Sequence, residues 1–351
     1  MVRPILVRPI PRRPIPRRPT PRRRTLARPT PQAGLAQGIA HGRQRGAAIV
    51  TALLVVVLAT AVISSLFLRE SVAVRSIENR LALSQTRWVE RAAIDWAKVI
   101  LRADASSGNV DHLGEPWAVP VADTKLDETV TAGARISESS RPAMLSGQIH
   151  DLQSRLNLTA LTASGQPSAP HLVAARKLFS LLDVPESLVD TLLTRLLRSQ
   201  TRVVDGKPVA ALETPLIRLS DLAGVAGFDA AIIERLEPFV TVIPITPGLP
   251  LAVTVNVNTA APEVIAAMVT GLDLAVARRF AVRRERTFFR DLNEATLQID
   301  GQPVLPPALL GVGSSFFLLR GMVRFDRVEV ASETLLVRSS GKVDIVWQQR
   351  L

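Results

Sequence analysis

Arg45-Gly46-AAIVTALLVVVLATAVISSLFL-Arg69-Glu70 sets 22 consecutive residues without charge, glycine or proline between charged ends. As a helix rising about 1.5 Å per residue, they cover roughly 33 Å, enough for a hydrocarbon layer of about 30 Å. Ala47–Leu68 is therefore predicted to span a membrane. Neither glycine nor proline occurs between Ala47 and Ser107, so the helix is expected to continue well beyond the apolar run. In that continuation Ile77, Leu81, Trp88, Ala92, Trp96, Val99 and Ala103 recur at helical steps, and this stripe is expected to face a folded domain.

Outward from the apolar run, the two flanks differ in charge. The first 45 residues carry twelve arginines and no acidic residue, which accounts for the whole formal net charge of +12. The remainder is balanced. Positive charge ahead of the apolar run predicts a cytoplasmic N-terminus and a translocated, periplasmic bulk. The first 31 residues repeat Arg and Pro, with nine prolines that favour an extended, solvated chain. That leader reads as an unstructured cytoplasmic extension or as sequence ahead of the true start, in preference to a polyanion-binding tail. An ordinary secretory signal is the competing reading, with Ala59-Thr60-Ala61 as its cleavage site, but the apolar run continues past it.

With no cysteine there is neither a disulfide framework nor a thiolate site. The histidines at 41, 112, 150 and 171 do not pair at helical metal-ligand spacing. G-x-S-x-G, P-loop, H-E-x-x-H and EF-hand patterns are missing. His150-Asp151 is the one acid–base candidate, but neighbours in a strand point to opposite faces. No catalytic residue is assigned, and no enzyme is expected.

The basic RQRG, followed by an apolar run that passes unbroken into an amphipathic helix, resembles the class III signal of type IV pilins and type II secretion pseudopilins. The resemblance implies cleavage by prepilin peptidase between Gly46 and Ala47, followed by methylation of the new amine. Residues 1–46 would then be removed. Most such proteins carry glutamate at the fifth mature position; this chain has Thr51. Together with further landmarks, that departure resembles the minor pseudopilin K family (general secretion pathway protein K). The landmarks are RWVERAAIDWAKVIL with Trp88 and Trp96, LGEPWAVP with Trp117, GQIHDLQSRLNLTAL with Asp151, Arg155 and Asn157, and VNVNTAAPEVIAAM with Asn256 and Asn258.

Beside that resemblance, the residues themselves read as an α+β, pilin-like fold. A long helix packs on a small antiparallel sheet, and an all-helical domain interrupts it. The expected division is 47–68 transmembrane, 69–157 pilin-like, 158–250 inserted helices, and 251–351 pilin-like again. Strands are expected at Thr129–Glu138, at Val253–Val257 and over the C-terminal stretch, with helices at His171–Leu182 and Glu186–Arg198. Thr259 is expected to cap the helix after Val257, and Asp273 the next.

Leu219–Phe239 reads helix, glycine hairpin, helix. Such a unit can offer backbone N–H groups to DNA phosphates, which makes a membrane-anchored, competence-type DNA-binding protein one alternative. Asp229, Glu234 and Glu237 oppose it, and no nucleic-acid partner is expected. A signal-anchored periplasmic enzyme is the other alternative. The basic run ARRFAVRRER, Ala277–Arg286, is expected to be a solvated helix face rather than a partner surface.

By resemblance, the protein caps the tip of the type II secretion pseudopilus. Its implied partners are the minor pseudopilins I and J, with H below them, together with prepilin peptidase, the inner membrane and exported proteins. The family resemblance also implies calcium at an acidic segment that falls here on Thr194, Leu197 and Ser199. These side chains lack the charged oxygens a hard cation takes, so no cofactor is expected.

Overall fold

The computed structural model describes residues 45–125, 143–162, 165–204, 207–245, 253–325 and 328–351. The chain forms two units, one ending at Leu68 and one running from Arg69 to Leu351. Helix α1 covers Arg45–Ser107 without interruption. In the first unit its apolar side chains, among them Ile49, Leu58 and Phe67, are exposed. By length and composition α1 can cross a membrane, with a mean hydropathy of 2.7 in its most apolar window.

In the second unit α1 buries a different face from the one its sequence suggests. Thr86, Glu90, Ile94, Ala97 and Leu101 are buried. They follow helical steps, and the apolar members pack with Trp117, Ile149, Phe317, Leu336 and Val343. The expected stripe turns away: Trp88 is 69% exposed, Trp96 52% and Val99 56%, and Ile77 and Leu81 are exposed as well. Two features select the buried face. Small Ala97 allows close approach to the sheet, and Glu90 finds Arg350 Nη2 at 2.8 Å and Gln348 Nε2 at 2.7 Å. A carboxylate so partnered can be buried at tolerable cost.

Strands β1 (Val121–Lys125) and β2 (Met144–Asp151) follow α1. The strand expected at Thr129–Glu138 lies outside the described residues. After β2 comes a two-residue strand, β3 (Leu156–Asn157), and then helices α2 (Ala169–Leu181) and α3 (Ser187–Arg198). The insert is not all-helical, because β4 (Arg202–Val204) and β5 (Lys207–Val209) pair as a small hairpin. The glycine-hairpin unit begins with a 3-10 helix, Leu219–Gly224, and ends in α4 (Ala230–Leu236).

Strand β6 (Val240–Thr241) pairs in parallel with β3, and β7 (Val255–Asn256) pairs in parallel with β8 (Leu310–Gly311). Between β7 and β8 lie α5 (Pro262–Met268), α6 (Leu274–Arg286) and α7 (Leu292–Leu297). A single hydrophobic cluster joins Leu156 to Leu310 and includes residues of α2 through α7. Helices α5–α7 thus share a core with the insert, although their sequence position groups them with the C-terminal sheet.

The chain closes with β9 (Phe316–Phe325), β10 (Val328–Ser339) and β11 (Lys342–Arg350). The sheet is antiparallel, in the order β1-β2-β9-β10-β11. Strand alternation gives it two apolar faces. One receives α1; the other gathers Phe316, Leu318, Leu335 and Val337 with Leu152 and Ile243. The β10–β11 turn uses Ser340 and Gly341, both at positive φ (49° and 76°).

Candidate functional site

Where β2 ends, Asp151 caps a 3-10 turn, its Oδ1 accepting from Gln153 N at 2.7 Å. Its Oδ2 accepts from Thr259 Oγ1 at 2.5 Å, Ser314 Oγ at 2.7 Å and Asn256 Nδ2 at 3.3 Å. Asn256 Nδ2 also donates to the Asp111 carbonyl at 3.0 Å. These donors come from segments far apart in sequence, so one buried carboxylate draws the sheet, the β7 region and the loop after α1 to one point. Thr259 therefore serves Asp151 rather than capping a helix, and the residue before α5 is Ala261. Asp273 does cap α6, accepting from Ala275 N at 2.7 Å.

Arg338 of β10 forms a second hub beside the first. Its Nη1 meets Asp104 Oδ2, near the end of α1, at 2.6 Å. Its Nη2 meets Asp111 Oδ1 and Oδ2 at 2.5 and 2.7 Å and the Ser314 carbonyl at 2.8 Å. The guanidinium lies 4.9 Å from the centre of the Phe317 ring. Asp111 Oδ2 also accepts from Ser314 N at 2.7 Å, which ties the hubs together. Burial raises the pKa of Asp104 and Asp111, while Arg338 opposes that rise.

Asn258 and Asn157 tie loops. Asn258 exchanges hydrogen bonds with the backbone of Phe289 in both directions, each 2.9 Å. Asn157 Oδ1 accepts from Ile243 N at 3.0 Å and Thr159 N at 3.2 Å. At Arg155 the backbone makes the tie, N–H to Leu152 O at 3.3 Å. Burial and the nearby Arg320 charge lower its guanidinium pKa. Trp117 is buried, edge-on to Phe317 at 5.3 Å, and donates from Nε1 to Glu115 Oε2 at 2.7 Å. Trp88 and Trp96 are not part of this junction.

Chemically, the polar groups of the junction are engaged with one another. Each Asp151 oxygen already accepts from neighbouring donors, and its carboxyl is pushed up to about 6 by burial, against the pull of Thr259 and Ser314. His150, on the opposite face of β2, is lowered to about 4 by burial and by the charges of Arg320 and Arg155. Asp104, Asp111 and Glu115 form a carboxylate group with oxygens within 4.8 Å of one another. Arg338 engages the first two, and Glu115 Oε2 accepts from Trp117 and from His112 N.

The glycine hairpin packs internally. Gly227 has φ +86°, and an added Cβ would lie 2.5 Å from Leu188 of α3. Glu237 pairs with Arg320 at 2.7 Å. The basic run of α6 is likewise engaged at home. Arg279 and Arg283 each meet Asp300 at 2.8 Å, Arg278 meets Glu263 at 3.4 Å, and Arg284 donates to Val257 O at 2.7 Å. At the other end of the chain, Gly46 and Ala47 lie in the first turn of α1, and Thr51 Oγ1 donates within its own helix, 3.0 Å from Ala48 O.

Two family models described as type II secretion system (T2SS), protein K, match residues 154–245 and 255–312. Their combined span follows the helical core and its short parallel strand pairs. The type II secretion system protein K of Pseudomonas aeruginosa is 27% identical over 321 residues, covering 86% of this chain and 92% of that protein. The chain is similar to the type II secretion system protein K family over most of its length.

Family members from Pectobacterium carotovorum subsp. carotovorum and Aeromonas hydrophila are 24% and 26% identical, covering 88% and 84% of this chain and 97% and 93% of those proteins. In fold the chain is similar to a chain in the crystal structure of the GspK-GspI-GspJ complex from enterotoxigenic Escherichia coli. The TM-score is 0.58 at 21% identity, over 76% of this chain and 96% of that one. Asp151 lies just ahead of the first family match, Asn157 inside it, and Asn256 and Asn258 inside the second. Asp111, Ser314 and Arg338 lie outside both and were not expected from sequence. The available signal was a lone arginine in the apolar run of β10, LLVRSS.

Proposed function

We propose that this minor pseudopilin of the type II secretion system caps the tip of the pseudopilus, where it supports assembly and protein export by packing rather than by catalysis. The observation that carries the reading is the K-family helical core in a chain whose N-terminal helix is long, apolar and exposed on its tryptophan face. Prepilin peptidase cleaves between Gly46 and Ala47 in this reading. Before assembly the helix anchors the protein in the inner membrane, N-terminus inside and bulk in the periplasm. Similarity to a chain of the GspK-GspI-GspJ complex supports pseudopilins I and J as partners. Pseudopilin H sits beneath them in this reading.

The absence of a carboxylate at Thr51 suits a tip position. A shaft subunit's glutamate at that place would neutralise a neighbour's terminal amine in the apolar core, whereas the Thr51 hydroxyl is satisfied within its own helix. A photo-crosslinking residue at position 88 tests the arrangement in cells carrying the whole secretion system. Adducts with I or J are expected there and not from the buried position 94. Adducts from neither position, in cells that export normally, would remove this face from the assembly.

A further inference from the structure

We infer that an internal guanidinium bridge, Arg195 to Glu213, closes the loop after α3 in place of a divalent cation, so that the helical body of this chain holds its shape without calcium. A calcium ion takes about six to eight oxygens, several of them carboxylate. At the three positions where the family's acidic segment falls, Leu197 has no side-chain oxygen. The hydroxyls of Thr194 and Ser199 donate to carbonyls of their own helix, Asp190 O at 2.9 Å and Leu196 O at 2.8 Å.

The oxygens a cation could recruit across the loop are already taken. Arg195 Nε meets Glu213 Oε2 at 2.6 Å, and Arg195 Nη2 donates to Thr214 O at 2.6 Å. Arg198 Nη1 lies 3.6 Å from the other Glu213 oxygen, and its carbonyl accepts from Leu212 N at 2.8 Å. These contacts fasten the end of α3 to the residues just beyond the β4–β5 hairpin. The Arg195 side chain is only 15% exposed, so the bridge is better shielded than a surface pair.

Charge points the same way. Two guanidinium groups meet one carboxylate here, and a divalent ion would enter against an existing positive excess. The corner of Arg195 left over, Nη1, is buried without an acceptor among the described residues, and it is a donor where a metal needs acceptors. The Asp104, Asp111 and Glu115 group follows the same logic, because Arg338 occupies it.

Amide hydrogen exchange read by mass spectrometry on the full chain in detergent tests the inference locally. In wild type, exchange over residues 187–216 is expected to be the same in millimolar calcium and in chelator. Arg195→Gln and Glu213→Gln are expected to speed exchange over 210–216 by about tenfold, equally in both conditions, while β9 and β10 keep their protection. Slower exchange over 187–216 in wild type on adding calcium overturns the inference. So does unchanged exchange in both variants. If a variant loses protection everywhere, the wild-type comparison still decides.

Discussion

Arg338 and Asp151 show what single buried groups contribute here. Asp104 and Asp111 keep 8% and 1% side-chain exposure, and their counter-charge is Arg338. Arg338→Met leaves both carboxylates without it, and a loss of about 3–5 kcal/mol is expected in denaturant unfolding. Asp151 and His150 impose opposite pH dependences. The Asp151 pKa rises from 3.8 to about 6 on folding, so its stabilising contribution is complete below about 4 and is lost as pH rises through 6, a change of about 3 kcal/mol. The His150 pKa falls from 6.5 to about 4, so its contribution is present above 6.5 and is lost as pH falls through 4. Relative to wild type, melting temperatures of Asp151→Asn should climb more steeply with pH between 4 and 6. Those of His150→Gln should fall over the same range. Parallel profiles for the two variants would contradict these assignments.

At the scale of elements, α1 makes the sharpest case for which readings sequence supports. Its extent was legible, because a run without glycine or proline has no reason to break before Ser107. Its buried face was not. Periodicity gathers the large apolar residues, but burial went to the face whose small Ala97 and partnered Glu90 fit the sheet. The two faces should therefore respond differently. Ile94→Ala is expected to cost about 2–4 kcal/mol in unfolding free energy. Trp88→Ser should change that value by less than about 0.5 kcal/mol, yet weaken co-purification with other pseudopilins. The motifs that carry Asp151, Asn157, Asn256 and Asn258 were legible because each is a short ordered pattern. Asp111, Ser314 and Arg338 were not, since the carboxylate contacts that join them span more than a hundred residues with no local pattern. The helices α5–α7 illustrate the same limit. The starts of α5 and α6 had local signals and α7 was not anticipated, and core membership depends on long-range packing that short patterns do not encode.

Across the whole molecule, a helical body bearing the family signature and a sheet that receives α1 meet at the Asp151 and Arg338 hubs. The central claim is that α1 enters a filament as a processed pseudopilin helix, and its left edge is the most direct point at which to test it. Intact-mass and N-terminal peptide spectrometry of the protein extracted from membranes of cells with prepilin peptidase is expected to find a chain beginning at methylated Ala47. The Gly46→Val variant should retain residues 1–46. A wild-type chain that keeps its leader, or one cut near Ala61, would contradict the account.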